Sequence, residues 1–563
     1  MFLKCRRAGC ALMLALAPAA LAQEVLYNGI RLPAVWPPTD VVLTNEPQPD
    51  PPYLVHPPDV IPIDVGRQLF VDDFLIQSTD LRRVFHRPQI YSANPVLKAD
   101  QNWEAGQAMT FSDGVFYDPR DRLFKIWYRG GSGTLYATSR DGVHWEKPML
   151  DVRPGTNAVH IGSRDSAMVW LDLEEKDPQR RFKMGQSLGH NKPFVLYESA
   201  DGIHWGEPVA RSIPTSDRTT FFKNPFRGVW VFSLRDHDWT PPGGSAKAAE
   251  PPEEYRDYLG RFRRYWESAD FATGAAWKAG KTERNNPRLD APAWAMADRL
   301  DPRKIDLNVQ PELYNLDAVA YESILLGAFS IWSGQYEKAE KPNYLTIGYS
   351  RDGFHWSRPD RRPFLAPTGR LGEWNAANIQ SAGGVCLVVG DRLYFYFSAR
   401  SGVPGRRSSG DTSTGLATLR RDGFVSMEAD APARSLTTRP VRFQGKRLFV
   451  NADSLAGELR VEILTANGEP IKGFSGDACL PLRVNDSLAP VRWKGGADLS
   501  AVAGKPVRFR FTLRDAKLFA FWVSADDTGR SDGYVGAGGP GFASSRDTEG
   551  TRAYRYCCRP QVW

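Results

Sequence analysis

The sequence predicts an all-β protein, a five-bladed β-propeller followed by a C-terminal β-sandwich. Three observations carry this reading. A ten-residue phrase recurs as Ser139-Arg-Asp-Gly-Val-His-Trp-Glu-Lys-Pro148, Ser199-Ala-Asp-Gly-Ile-His-Trp-Gly-Glu-Pro208 and Ser350-Arg-Asp-Gly-Phe-His-Trp-Ser-Arg-Pro359. Worn copies stand at Ser268-Ala-Asp270, with Trp277 a few residues on, and at Arg421-Asp-Gly-Phe424. The five aspartates, 141, 201, 270, 352 and 422, are 60, 69, 82 and 70 residues apart, which is blade spacing. Second, short apolar or alternating runs bounded by turn residues fill the intervals. Third, 50 Gly, 42 Pro and 12% aromatic residues, with few long helical periodicities, favour strands and turns.

Each part of the phrase has a physical use. Asp-Gly makes a tight turn, because Gly accepts positive φ and Asp bonds its own nearby backbone. The Trp is an apolar plate to wedge between blades. The Pro has no N–H to give the ladder and stops the strand. His144, His204 and His355 occupy one position in three copies, so they would lie far apart and shape the unit rather than share a metal.

Taken in order, residues 1–22 read as a leader. Lys4, Arg6 and Arg7 precede the apolar Ala11 to Ala20, and Ala20-Leu21-Ala22 fits a cleavage site. The apolar run is too short to span a membrane, and no Cys follows the cut to take a lipid. An exported protein, periplasmic or extracellular and without a membrane anchor, is expected. Residues 23–63 are a Pro-rich strap. Residues 64–430 hold the propeller, with Gln68 to Ile76 as an early strand expected to complete the last blade; Asp72 and Asp73 within it read as turn or edge residues.

Blade one is expected at Val115 to Asp118, Leu123 to Tyr128 and Thr134 to Thr138. Blade two follows at Met168 to Leu173, Arg181 to Gln186 and Phe194 to Glu198. Blade three is expected at Thr219 to Lys223, Gly228 to Ser233 and Phe262 to Glu267, blade four at Ala318 to Leu326, Phe329 to Trp332 and Tyr344 to Tyr349. Blade five takes Gly384 to Val389, Leu393 to Ser398 and Gly415 to Leu419. Long connections at about 236–258 and 278–314 are candidates for the rim of a pocket. Residues 431–526 lack the phrase and read as the sandwich. Residues 527–563, rich in Gly and Ser, read as a loose tail.

The bulk numbers exclude several classes. A net charge of +7 over 563 residues, with no dense basic and aromatic stripe, sets nucleic acid aside. After loss of the leader, Cys386, Cys479, Cys557 and Cys558 remain, too scattered for a disulfide framework or a zinc site. No cofactor and no catalytic metal are expected, and a structural cation such as calcium is left open.

In a propeller the first strand of every blade starts near the central axis, so polar residues there converge on one funnel. The candidates are Trp103, Glu104 and Asp113 in blade one, Arg164 and Asp165 in blade two, and Asp217 with Arg218 in blade three. Blade four offers Asp317, Tyr321 and Glu322, and blade five Trp374, Asn375, Asn378 and Gln380. Acids in apolar strands are costly unless paired or used.

The five blades, the Arg164-Asp165-Ser166 triplet and the Tyr321-Glu322 pair in a later first strand resemble the five-bladed propeller glycosidases, the invertase/fructosidase and arabinanase/xylosidase superfamily. The fructosidases have Arg-Asp-Pro where this chain has Ser166, and their first-blade Asn-Asp-Pro is absent, with Glu104, Asp113, Asp72 and Asp73 as imperfect stand-ins. The resemblance implies three carboxylates around the funnel and a poly- or oligosaccharide substrate. It implies Glu322 as general acid, Asp165 as its tuner and sugar ligand, and Asp217 or Glu104 as base or nucleophile. Two carboxyls must flank a glycosidic bond, one to protonate the leaving oxygen and one to act on the other face. Arg164, Asp317, Asn375, Asn378 and Gln380 are then hydroxyl ligands, and Trp103, Tyr321 and Trp374 stacking platforms. A non-catalytic carbohydrate-binding propeller is the alternative. A sialidase is a third reading, because its Ser-x-Asp-x-Gly-x-x-Trp box resembles the phrase, although that fold has six blades.

Overall fold

The computed structural model describes residues 23–131, 133–162, 164–189, 191–237, 260–283, 286–303, 310–334, 340–406 and 409–556. The expected leader, all but the first two residues of the 236–258 insertion, and Cys557 and Cys558 lie outside them.

Regular structure is almost wholly β. Five antiparallel sheets follow one another along the middle of the chain. The first sheet holds Val115–Asp118, Leu123–Gly130, Gly133–Ser139 and Ala158–Ile161. The second holds Ser166–Leu171, Phe182–Ser187, Lys192–Ser199 and Ala210–Thr215. The third holds Thr220–Asn224, Val229–His237, Arg261–Ser268 and Ala293–Met296, the last of which comes from the 278–314 connection. The fourth is built on Glu312–Glu322, Ile324–Trp332 and Tyr344–Ser350, the fifth on Ala377–Ser381, Leu387–Val389, Arg392–Arg400 and Thr412–Arg420.

The repeated phrase is the joint between sheets. Its Asp folds back on its own turn: Asp141 Oδ1 accepts the N–H groups of Val143 and His144 at 2.8 Å, and Oδ2 meets His144 Nδ1 at 2.7 Å. Asp201 and His204, and Asp352 and His355, repeat the 2.7 Å contact. The histidines therefore lock the turn, each in its own copy. Every turn lies against the preceding sheet. Trp127 of the first sheet donates to the Gly202 carbonyl at 2.7 Å, and Trp294 of the third to that of Phe354 at 2.7 Å. Arg180 of the second sheet reaches Asp270 at 3.1 Å, and Phe424 packs on Tyr349 of the fourth at 6.1 Å. The first sheet's turn meets the fifth sheet, where Tyr396 donates to the Gly142 carbonyl at 2.5 Å. Contacts thus run from sheet to sheet and back to the start.

The fifth sheet is completed from upstream by Gln89–Ile90 and Leu97–Lys98, which pair with Thr412–Arg420. This corrects the expectation for Gln68 to Ile76. Gln68–Leu69 pairs instead with Ala520 and Phe521, and Ile76–Thr79 with Leu436 to Thr438. Phe70, Val71, Phe74 and Leu75 are all buried, so this run needs apolar cover on every side. The edge of the fifth sheet cannot supply it, since Gln89 and Ile90 there are exposed. Asp72 pairs with the buried Arg351 at 2.8 Å and caps the Phe74 N–H.

Strands from after residue 420, joined by Ile61–Pro62, Gln68–Leu69, Ile76–Thr79 and Arg82–Phe85, form two six-stranded sheets that share a core of Phe70, Phe74, Leu436, Val450, Phe509, Phe511 and Phe521. Their strands include Arg447–Asp453, Glu458–Thr465, Val507–Arg514 and Ala516–Ser524. Cys386 and Cys479 are buried free thiols. The tail, expected to be loose, is ordered as far as Tyr556: Tyr534–Val535 adds a strand to the fourth sheet, and Ser531 and Asp547 are buried. Glycines there allow close approach to the sheets, but its buried polar groups hold it down.

The tightest joint is testable. Gly202 has φ +77°, and a Cβ there would stand 2.6 Å from the Trp127 ring. Gly202→Ala is expected to lower stability by about 2–4 kcal/mol, read from the denaturant midpoint. A neutral effect would show that this turn does not bear on the neighbouring sheet.

Candidate active site

Segments at the starts of several strands come together. Asp113 precedes the first strand of the first sheet, Arg164 and Asp165 that of the second, and Asp217 and Arg218 that of the third. Asp317 lies within Glu312–Glu322, and Asn378 and Gln380 within Ala377–Ser381. Backbone bonds tie these segments together: Ser112 N–H to the Ser381 carbonyl at 3.1 Å, and Val169 N–H to that of Asp113 at 2.6 Å. Gly114, at φ +117°, permits the approach, since a Cβ there would meet the Val169 carbonyl at 2.4 Å. Ser112, Arg218 and Asn378 take φ of +65°, +60° and +55°. Such strain persists only where the surroundings over-determine it.

Side chains from five sheets interlock here. Arg164 Nη2 pairs with Asp113 Oδ1 at 2.7 Å. Arg218 donates to the Phe111 carbonyl at 3.0 Å, Ser112 Oγ at 3.1 Å and Gln380 Oε1 at 3.3 Å. Asp317 Oδ2 accepts from Ser112 Oγ at 2.8 Å, Ser381 Oγ at 2.5 Å and Asn315 Nδ2 at 2.9 Å. Asn378 Oδ1 accepts from Gln380 at 3.0 Å and Asn343 at 3.1 Å. Asp217 pairs with Arg235. Asp165 is half-buried, and no bond to its carboxylate occurs among the described residues; its N–H donates to the Ser187 carbonyl at 2.9 Å and its own carbonyl accepts from Arg129 at 3.1 Å. Asp113 is fully buried, and burial raises its pKa to about 6 against the opposing pull of Arg164, Arg218 and Arg129.

Six expected site residues lie elsewhere. Reading Ala318 to Leu326 as one strand puts Glu322 in mid-strand. The strand instead begins at Glu312 and ends at Glu322, where Tyr321 already faces Ile324 across the hairpin. Glu322 is thus five residues beyond Asp317, about 17 Å along an extended chain and away from the funnel. It is fully buried between the fourth sheet and the C-terminal sheets. Arg421 donates to it at 2.9 Å, Ser531 at 2.7 Å and the Arg67 N–H at 3.1 Å. Arg67 and Arg421 also pair with Asp422 and Asp547 at 2.9 and 2.8 Å. A carboxylate so enclosed cannot reach a substrate and acts as a structural brace. Tyr321 belongs to the same network, donating to Asp422 at 2.6 Å.

Glu104 is the third correction. It is buried, caps the turn Asn102–Glu104 through the N–H groups of Asp100 and Gln101, and takes Tyr128 Oη at 2.7 Å and Lys147 at 2.8 Å. Trp103 stands at the side of the first sheet, bonded to Asn157 at 2.8 Å, and Trp374 lies over Phe397 at 5.6 Å. No contact joins Trp103, Trp374 or Asn375 to the funnel acids among the described residues.

Sequence reasoning missed most of the cations. Arg129 and Arg235 stand near the ends of the second strands of the first and third sheets, and Arg400 at the end of Arg392–Arg400, the strand that pairs with the first strand of the fifth. This shared position was the available signal. Arg263 and Tyr314 carried no comparable pattern.

Two measurements separate the clusters. Glu322→Gln is expected to cost roughly 3–5 kcal/mol in a denaturant titration, because it unbalances two buried guanidinium groups. An unchanged midpoint with abolished turnover would return Glu322 to the chemistry. The raised value of Asp113 means that its contribution to stability is present below pH about 4 and is lost as pH rises through about 6. Two units at 1.36 kcal/mol each amount to about 3 kcal/mol. Asp113→Asn should flatten that part of the stability curve, and an unaltered curve would contradict the burial assigned to it.

No protein-family model matches the sequence, and no curated protein sequence matches it. Among solved structures the chain is similar to an N-acetylgalactosamine deacetylase from F. plautii in complex with blood group B trisaccharide, at 15% identity over 62% of this chain and 96% of that one, TM-score 0.36. It is similar to a glycoside hydrolase family 43 arabinoxylan arabinofuranohydrolase from Bacillus subtilis, at 10% identity over 77% and 100%, TM-score 0.34. A fructofuranosidase from Schwanniomyces occidentalis complexed with fructose aligns at 12% identity over 78% and 97%, TM-score 0.33. Likenesses at these scores leave the chemistry to the side chains themselves.

Proposed function

We propose that the chain is an exported glycoside hydrolase built on a five-bladed β-propeller with a C-terminal β-sandwich. It cleaves glycosidic bonds of a poly- or oligosaccharide at the funnel. The observation that carries this reading is the convergence of Asp113, Asp165, Asp217 and Asp317 from four successive sheets on one polar mouth. The charged start and small-x-small end of residues 1–22 support export.

Asp165 and Asp217 are the partly exposed carboxyls of the four, so they are assigned to the substrate. One protonates the leaving oxygen and the other acts on the opposite face, directly or through water. The Asp113–Arg164 pair lies beneath and fixes the Arg-Asp segment. Asp317, held by three donors, anchors the floor, and Asn378 and Gln380 supply amides for sugar hydroxyls.

One observation favours a second reading. Asp113, Asp217 and Asp317 each already have a partner, which suits a carbohydrate-binding funnel without cleavage. A panel of isolated polysaccharides, read for both binding and released sugar, separates the two. On the best substrate, Asp165→Asn and Asp217→Asn should each lower kcat about 100-fold or more, Asp165→Asn with an unchanged Tm and Asp217→Asn with some loss of stability, because it leaves Arg235 unpaired. Full turnover in both variants would defeat the hydrolase reading, and binding without product would favour the second.

A further inference from the structure

Beside the acids, the third and fourth sheets bring several cations together, and three of them, Arg218, Arg263 and Lys341, lack an ion pair among the described residues. Tyr314, on Glu312–Glu322, is their centre. Lys341 Nζ donates to its hydroxyl at 2.7 Å, and the Arg218 and Arg261 guanidinium carbons stand 5.9 and 5.7 Å from its ring. Arg263 donates to the Tyr314 carbonyl.

The partners of these cations differ in kind. Arg261 pairs with Glu312, and Arg235 with Asp217. Arg218, Arg263 and Lys341 form no ion pair with a carboxylate among the described residues. Arg218 bonds a carbonyl, a hydroxyl and an amide oxygen, Arg263 three carbonyls and Lys341 a phenol. Arg218 is 1% and Arg263 0% exposed, and the Nε of each is buried without an acceptor. Burial presses the pKa of both guanidinium groups down, and for Arg263 the repulsion of Arg218 and Arg235 adds to it, against the weaker pull of nearby carboxylates, Asp317 on both and Asp165 and Asp113 on Arg218. Burial raises the Tyr314 pKa, but Lys341, Arg218 and Arg261 outweigh it and pull the phenol down to about 8. Buried charge of one sign is costly unless something balances it.

We propose that this cluster, with half-buried Lys341 in front and Arg218 and Arg263 behind, binds the anionic substituent of a charged sugar, a carboxylate or a sulfate ester. The glycan then lies across the funnel, its charged group on the third and fourth sheets and its scissile bond toward Asp165. Guanidinium and ammonium groups give the strong charge-assisted bonds that such a substituent needs. This assignment of substrate class rests on the sugar-binding reading above.

The test is calorimetric titration of the full chain with D-glucuronate, D-galacturonate and galactose 6-sulfate, against neutral D-glucose and D-galactose. At least one charged sugar is expected to bind about tenfold or more tighter than its neutral parent, with the advantage shrinking as salt is added. The uronate and sulfate arms tell which anion is taken. Lys341→Gln should remove most of the advantage and Lys341→Arg should keep it. Parity of charged and neutral sugars, binding of neither, or an undiminished preference in Lys341→Gln would overturn the proposal. Charged sugars bound but no glycan cleaved would sink the hydrolase reading and leave this one standing. Cleavage of neutral glycans with no charge preference would do the reverse.

Discussion

A β-sheet apolar on both faces must be covered on both faces, and here the cover is the turn that ends the neighbouring sheet's third strand. The Asp of the phrase satisfies the turn's own N–H groups, so the turn can be pressed against aromatic rings without leaving donors unpaired. Gly supplies the positive φ and, at residue 202, the absence of a Cβ that the Trp127 ring requires. The preceding sheet answers with a bond to the turn's carbonyl from Trp127, Trp294 or Tyr396. This one local solution, repeated, sets how each sheet sits on the one before it. The position of everything at the strand ends follows from it.

Those strand ends meet two different fates. At Asp113, Asp165, Asp217 and Asp317 the polar groups of several sheets face one another, with Asp165 and Asp217 still partly exposed. At Glu322 the C-terminal sheets and the tail seal the gap, and Arg67, Arg421, Asp422 and Asp547 balance one another out of water. Both are clusters of carboxylates and arginines. What separates them is solvent access: a closed network can only brace, whereas an open one can exchange a partner for a ligand.

Charge is also divided across the open end. Carboxylates come mainly from the first strands' entry segments, while Arg235, Arg261 and Arg263 come from the second and third strands of the third sheet. Paired acids and unpaired cations at one open end would give a bound sugar an orientation as well as an environment.

The repeat, its spacing and the alternation between copies were enough to foresee an all-β chain with strands close to those observed, and they pointed to Arg164-Asp165, Asp217, Asp317, Asn378 and Gln380 as residues near strand starts. These depend on local rules, namely turn chemistry and the fact that equivalent strand starts gather at one end. Glu322 defeated the same reasoning because its strand is apolar almost throughout, so no residue marks where the hairpin turns. Its partners Arg67 and Arg421 are 255 and 99 residues away. The closing strands Gln89–Ile90 and Leu97–Lys98 are likewise short, polar in part and exposed, and they declare themselves only by pairing with Thr412–Arg420. The sequence by itself determined the recurring turn at Asp141, Asp201 and Asp352, because each of these copies satisfies its own N–H groups. Only the tertiary structure decided which carboxylates stay open to solvent and which are sealed, because burial of a charge is settled by the distant segments that come to cover it.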